Sequence, residues 1–247
     1  LAPIHCLESK TAQVLVGMTT VGGEPSIYDS RNILHNAMQS LRDMGLKVIV
    51  ATELEFYLLQ PSTGLTPEPQ FPSVPGTGIK QDGLQYSMTE DLWDCDAFIE
   101  DVHVTCETQK LPSTATHSEF SPGQLEINLH HVDDPILACD HAVLLKRVIK
   151  GVARKHGYGA TFMAKPFAEH AGSGLHIHIS VYDRQGRNIL ALGGKGSPPV
   201  GAGMRHAIGG LATTMAECMA LFAPNANSYR RLRPRSFVPL KPNWGYN

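Results

Sequence analysis

The sequence predicts an α+β fold, a curved and mostly antiparallel sheet with flanking helices. Two observations carry this expectation. Short β-branched or alternating runs recur along the 247 residues, separated by stretches whose apolar positions fall at helical spacing. Some of the runs also follow one another directly, joined by hairpin-type turns.

Taken in order, Ala12–Met18 is a short apolar strand ended by the Gly22-Gly23-Glu24-Pro25 turn. Asp29 or Ser30 caps a helix whose apolar positions are Ile33, Leu34, Ala37, Met38, Leu41 and Met44, and Gly45 stands where its terminating glycine belongs. Leu46–Val50 is a strand, and Glu53–Leu59 is the next one or its continuation. Residues 60–83, rich in Pro, Gly, Ser and Thr, read as a long ordered loop or a flap over a site. A helical pattern runs from Thr89 to Gln109, and strand text follows at Ser118–Phe120 and Leu125–Leu129. The clearest helix starts at Asp133 or Asp134 with Pro135 in its first turn, and closes after Lys150, Arg154 and Lys155 at Gly157. Thr161–Met163 and Leu175–Val181 are strands on either side of Gly172-Ser173-Gly174. Asp183-Arg184-Gln185-Gly186 marks a hairpin, and a final helix covers Ala202 to Leu221. There is no internal repeat and no low-complexity segment.

Composition narrows the partners. Hydrophobic residues make up 42% and charged residues 18%, with 21 Lys+Arg against 23 Asp+Glu. That balance gives no basic footprint for nucleic acid, and no apolar run approaches the roughly twenty residues of a membrane helix. Small molecules become the default partners. Cysteines at 6, 95, 106, 139 and 218 are odd in number and lack CxxC spacing, the usage of a reducing, cytoplasmic chain. The chain starts at Leu1 without Met or a signal sequence and stops at Asn247 inside structured text, so it is expected to be a fragment.

The first chemical signal is Glu53-x-Glu55 in an apolar strand. Residues two apart on a strand leave the same face about 7 Å apart along the chain. Alone, that pair reads as two surface acids on an edge strand. The pattern recurs, however. Glu119 and Glu126 flank Ser121-Pro122-Gly123, with Asn128 facing as Glu126 does, and His176, His178 and Ser180 share one face while Ile177 and Ile179 pack on the other. Two carboxylates about 4 Å apart repel by roughly 4 kcal/mol at an effective dielectric near 20, so acids clustered from these strands would take up protons or bind cations. Carboxylates with some imidazole and no thiolate favour Mg²⁺ or Mn²⁺, ions that accompany phosphates.

Competing nucleotide and hydrolase signatures are missing. Gly193-Gly194-Lys195-Gly196 lacks the spacing and hydroxyl of a phosphate-binding loop, and His117-Ser118-Glu119 lacks the cysteine half of a zinc deaminase pattern. The run Arg230, Arg231, Arg233 and Arg235 supports two readings, a solvated basic loop or an anion site in which a guanidinium grips carboxylate or phosphate.

In order, Glu53-Leu-Glu55-Phe, Glu119 through Gly123-Gln124-Leu125-Glu126, Thr161-Phe162-Met163-Ala-Lys165-Pro166, Gly172-Ser173-Gly174-Leu175-His176-Ile177-His178 and Asn227-Ser228-Tyr229-Arg230-Arg231-Leu232 resemble the glutamine synthetase superfamily. The likeness covers nearly everything from Asp29 to Asn247. In the style of Ala171 to His178 and of the Tyr182–Asn188 hairpin the chain is similar to γ-glutamylpolyamine (γ-glutamylputrescine) synthetases.

The resemblance implies a glutamine synthetase-type catalytic domain at residues 24–247, truncated at its C-terminal end, and the remnant of an N-terminal β-grasp domain at residues 1–23. It implies ATP as co-substrate and two Mg²⁺ or Mn²⁺ sites, one held by Glu55, Glu119 and Glu126, the other by Glu53 and His176. Gly172 and Arg231 would bind the acid substrate, Arg231 also serving as the catalytic arginine, and His178 and Ser180 would face the nucleotide. The implied reaction joins glutamate or a similar acid to an amine through an acyl phosphate, in a ring-shaped homo-oligomer with sites between subunits. Two departures stand out. Ala171 replaces an Asn that helps bind glutamate, and Phe237 replaces the Glu that deprotonates ammonium, so an organic amine or polyamine is expected as acceptor. The rival readings are an ammonia-using glutamine synthetase and a non-catalytic structural relative.

Overall fold

The computed structural model describes residues 4–5, 10–61, 64, 66–191, 200–234 and 236–238. Cys6, the glycine-rich stretch 193–196 and Arg235, each considered above, lie outside the described residues. The centre of the structure is one long strand. What read as two runs is continuous, Lys47–Leu59, here β3 after the two-residue pair β1 (Ile4–His5) and β2 (Ala12–Gln13) and helix α1 (Ser30–Asp43).

β3 is paired on both edges, always antiparallel. One edge carries β5 (Gln124–Leu129), in register from Glu53 opposite Asn128 to Tyr57 opposite Gln124. The other edge carries β7 (Leu175–Tyr182) against Lys47 to Leu54, then β6 (Gly159–Thr161) against Tyr57 to Leu59. β4 (Ser113–Ser118) extends the sheet beyond β5. The five strands therefore run in the order β4-β5-β3 with β6 and β7 sharing the far edge.

Alternation divides the sheet into an apolar and a polar side. Val48, Val50, Leu54, Phe56 and Leu58 of β3 and Leu125, Ile127 and Leu129 of β5 are all buried. Leu54, Phe56, Leu58 and the β5 residues pack under α3 (Asp96–Thr108), through Phe98, Val102 and Cys106, and under α4 (Pro135–Lys155), through Leu144, Leu145, Val148, Ile149 and Val152, while Val48 and Val50 pack on Met38 of α1 and Ala138 of α4. Residues of odd number in β3 and even number in β5 and β7 face the opposite way, which collects Glu53, Glu55, Gln124, Glu126, Asn128, His176 and His178 on one surface.

α4 forms where the sequence placed it. The Asp134 carboxylate accepts from the backbone N–H of Ile136 and Leu137, Pro135 opens the first turn, and Arg154 and Lys155 lie in the last. Asp134→Ala will remove that cap and cost about 1 kcal/mol, read as a lower urea midpoint with unchanged slope.

Four expectations need correction. The Ala12–Met18 run forms only the two-residue β2, and Val14, Val16 and Met18 are exposed, because no described element covers them. The helix expected from Thr89 to Gln109 is broken into α2 (Glu90–Trp93) and α3, with Asp94 and Cys95 at the break. The break buries Cys95 and lets Asp94 accept the Ser73 backbone N–H. Ser118–Phe120 is the end of β4 and its turn rather than a strand of its own. Ile177 and Ile179 do not pack away from the histidines; they are 58% and 53% exposed, since nothing described lies over that face of β7. Helix α5 (Ala202–Phe222) forms as expected, with none of its residues buried, and is followed by α6 (Ala226–Arg231). No described helix is long and apolar enough to cross a membrane.

Candidate active site

The polar surface of the sheet is built by direct cross-strand opposition. Glu55 lies opposite Glu126, which lies opposite His117, while Glu53 lies between Asn128 and His176. Directly opposed residues bring their Cβ atoms to about 5 Å, so the pairing register alone forces the acids together. His176 Nδ1 sits 2.9 Å from Glu53 Oε2 and 3.9 Å from Glu126 Oε2. His178 Nε2 reaches the other Glu53 oxygen at 2.8 Å. One ligand atom each from Glu53, Glu126 and His176 fall within 4.8 Å of one another.

Glu119 and Glu55 extend this group. Burial first, then the charges of Glu55 and Glu126, push the Glu119 carboxyl up to about 7. Glu126 is raised by burial and by Glu53 and Glu55. Glu55 and Glu126 are each only 8% exposed, so water cannot dissipate their repulsion. Oxygen donors with one imidazole, self-repelling and lacking thiolate, fit a hard divalent cation.

Beside the carboxylates a tight turn holds Arg231. A Cβ on Gly172 would stand 2.5 Å from the Ala164 carbonyl oxygen and 2.7 Å from Arg231 Cγ, and one on Gly174 would stand 2.8 Å from Glu55 Oε1 and 3.0 Å from Arg231 Nη2. Only residues without a side chain allow this approach. Arg231 Nε is buried with no hydrogen-bond partner among the described residues, a cationic donor left unsatisfied beside the carboxylates. The arginine run is thus resolved at Arg231: it is packed into the turn beside Glu55 rather than splayed into solvent.

The structure thus brings together Glu53, Glu55, Glu119, Glu126, His176, Gly172 and Arg231. His178 and Ser180 line a neighbouring hollow with Ile49, Ala51, His131 and Tyr182. The loop 60–83 is tied to β3, with Gln70 donating its N–H to the Leu58 carbonyl at 2.8 Å, and the Gln70 backbone lies against Gly123 of the β4–β5 turn. Phe237, at φ 56°, rests its ring on Phe120 at 4.5 Å, next to Glu119 in the chain.

Sequence reasoning assigned no role to three residues of this region. Gln124, fully buried, donates to Glu55 Oε2 and to the Gly172 carbonyl, each at 3.1 Å. Its place two residues before Glu126 on the same strand face was the available signal. Lys165, also buried, donates its ammonium to the His170 carbonyl and exchanges both backbone hydrogen bonds with the Asn227 amide at 2.8 Å. Burial and the nearby Arg233 and Arg231 lower its pKa. His131 gave no pattern beyond a histidine pair.

The model of the glutamine synthetase catalytic domain matches residues 27–247. The chain is 41% identical over 236 residues to the γ-glutamylputrescine synthetase of Escherichia coli, covering 95% of this chain and 49% of that protein. It is 35% identical over 245 residues to a glutamate–isopropylamine ligase of a Pseudomonas species, covering 97% and 51%. Among solved structures, the Plasmodium falciparum glutamine synthetase superimposes with a TM-score of 0.76 at 21% identity, over 88% of this chain and 46% of that one, a likeness of fold. The chain spans about half the length of the curated relatives it matches. With the domain match covering all but the first 26 residues, and the expected carboxylates and imidazole gathered on one sheet face, the chain belongs to the glutamine synthetase family.

Proposed function

We propose that this chain carries the catalytic face of an ATP-dependent ligase that joins the γ-carboxylate of glutamate, or of a similar acid, to an organic amine or polyamine. The observation that carries the reading is the convergence of Glu53, Glu126 and His176 within 4.8 Å, with Glu55 and Glu119 against them. Relatives whose names specify putrescine and isopropylamine as acceptors support the amine. So does Phe237, an apolar ring tilted against Phe120 where an alkyl chain can lie and no proton can be accepted.

A carboxylate does not react with an amine directly, because its charge repels nucleophiles and oxide does not leave. Its oxygen attacks the γ-phosphorus of ATP and ADP departs; the deprotonated amine then attacks the acyl carbon and phosphate departs. Arg231 would hold a carboxylate of the acid, and the Gly172 backbone its amino-acid portion. His178 and Ser180 would face the nucleotide. Glu55, Glu119 and Glu126 would hold one Mg²⁺ or Mn²⁺, Glu53 and His176 the other. When bound, such ions neutralise charge on the phosphoryl oxygens. On the family resemblance alone, the sites would lie between subunits of a ring-shaped homo-oligomer, and residues 1–23 would be the remnant of a β-grasp domain before the catalytic domain at 24–247. Cys95, Cys106, Cys139 and Cys218, all unpaired, support a cytoplasmic setting.

Phosphate release with ATP, Mn²⁺ and glutamate will be fastest with putrescine or another alkyl amine and slow with ammonium. A preference for ammonium would overturn the amine assignment, and no release with any acceptor would overturn the ligase assignment.

A further inference from the structure

We infer that Gln124 is a positioning residue that decides which oxygen of Glu55 meets a cation and ties that carboxylate to the Gly172 turn. The Gln124 amide is completely engaged. Its Nε2 donates to Glu55 Oε2 and to the Gly172 carbonyl, each at 3.1 Å, while its Oε1 accepts from the Ser121 backbone N–H at 3.3 Å and faces the Tyr57 hydroxyl at 3.5 Å. Two acceptors facing the amide nitrogen and the Ser121 N–H facing the amide oxygen leave one orientation, since a flipped amide would set an oxygen against the Glu55 carboxylate.

The consequence falls on Glu55. With Oε2 held by a charge-assisted hydrogen bond, Oε1 is the oxygen turned to the cleft, where it lies beside Gly174 and the Arg231 guanidinium. A buried carboxylate with one fixed oxygen has lost the rotation that would otherwise be frozen on binding a cation. The same amide also holds the Gly172 carbonyl, so the oxygen that meets the ion and the backbone at the proposed acid-binding turn share a single support. Tyr57 adds a second brace by donating its hydroxyl to the Ala171 carbonyl at 2.7 Å.

This inference rests on the proposed metal role of the carboxylates, and the test separates the two. Gln124→Met keeps the side chain's length and removes its donors. Gln85→Met serves as the comparison. Gln85 is as buried as Gln124 and supports the same turn, donating to the Gln124 carbonyl at 2.8 Å and accepting the Gly123 N–H at 3.3 Å, without touching Glu55. Mn²⁺ titration followed by electron paramagnetic resonance will show affinity falling about 10-fold or more in Gln124→Met, the range for removing a group that supports a metal ligand, and staying near the unmodified value in Gln85→Met. Equal losses in both, or none in either, would overturn the positioning role. An unmodified protein that binds no Mn²⁺ would remove the metal reading together with this one. If Gln124→Met does not fold, the side-chain amide resonances of the unmodified protein decide: those of Gln124 must shift on Mg²⁺ addition more than those of Gln85, and equal shifts overturn the inference.

Discussion

Glu126→Gln will weaken Mn²⁺ binding by on the order of 100-fold or more, yet raise the thermal midpoint of the metal-free protein at pH 8. Both effects come from one charge. Glu126 is buried between Glu53 and Glu55, whose charges raise its pKa in addition to the burial itself. Without a cation the folded chain concentrates this repulsion, while the unfolded chain disperses it. A neutral amide of the same shape relieves the folded state and removes a full charge from the ligand set. For a chain of this size each kcal/mol recovered moves the midpoint by about 2–4 °C. The sign with pH follows from Glu119. Its carboxyl keeps its proton up to about 7 when folded, against a reference value of 4.5. Between those values the folded state binds more protons than the unfolded, so stability falls as pH rises through that window and levels above it. Mn²⁺ must displace the same proton, so its affinity will rise towards pH 7 and then flatten. Removing the Glu126 charge lowers the Glu119 pKa and narrows the window. Unchanged Mn²⁺ affinity in Glu126→Gln, or a lower metal-free midpoint, would refute the account of this face as a cation-binding surface.

The parts of this site that were legible in the sequence are those governed by period and register. Alternation in Lys47–Leu59 sends Leu54, Phe56 and Leu58 to the core and Glu53 and Glu55 to the other side, and the same rule applied to β5 places Glu126 with them. Helix α4 was legible because capping and first-turn chemistry are local, within three residues of Asp134. Alternation could not say what covers a face, which is why Ile177 and Ile179 looked packed and are open. It could not locate the break at Asp94, which depends on Ser73, twenty-one residues earlier in the chain. Gln124 stayed hidden for a related reason. An amide on a strand carries no charge signature, and its importance arises only when Glu55, sixty-nine residues away, is set beside it. Convergence of the acids was an inference from repulsion and resemblance; the pairing of Glu53 with both His176 and His178 required the register of β7 on β3.

If the proposed ligase reading holds, Gly172→Ala will lower the rate of phosphate release on the order of 100-fold while leaving Mn²⁺ affinity nearly intact. The added methyl carbon would lie 2.5 Å from the Ala164 carbonyl oxygen, 2.7 Å from Arg231 Cγ and 2.9 Å from Arg231 Cδ. Something must move, and the backbone is poorly placed to do so. The Ala164 carbonyl already accepts the Ser173 N–H at 3.0 Å, and Lys165 beside it is locked to Asn227 by two hydrogen bonds of 2.8 Å. The Arg231 side chain therefore gives way, and its guanidinium leaves the position beside Gly174 and Glu55. A displacement of about 1 Å in a group that orients a reacting substrate costs around 100-fold in rate. The crowding also costs about 1–3 kcal/mol of stability, read as a lower urea midpoint. The atoms nearest the new methyl belong to Ala164 and Arg231 and not to Glu53, Glu126 or His176, so cation binding persists. Gly209→Ala provides the contrast: a Cβ there meets nothing within 4 Å, and in the interior of helix α5 it will stabilise by about 1 kcal/mol without slowing the reaction. Full activity in Gly172→Ala would mean that Arg231 does not need its seat in the turn, and the acid would have to be held by other groups.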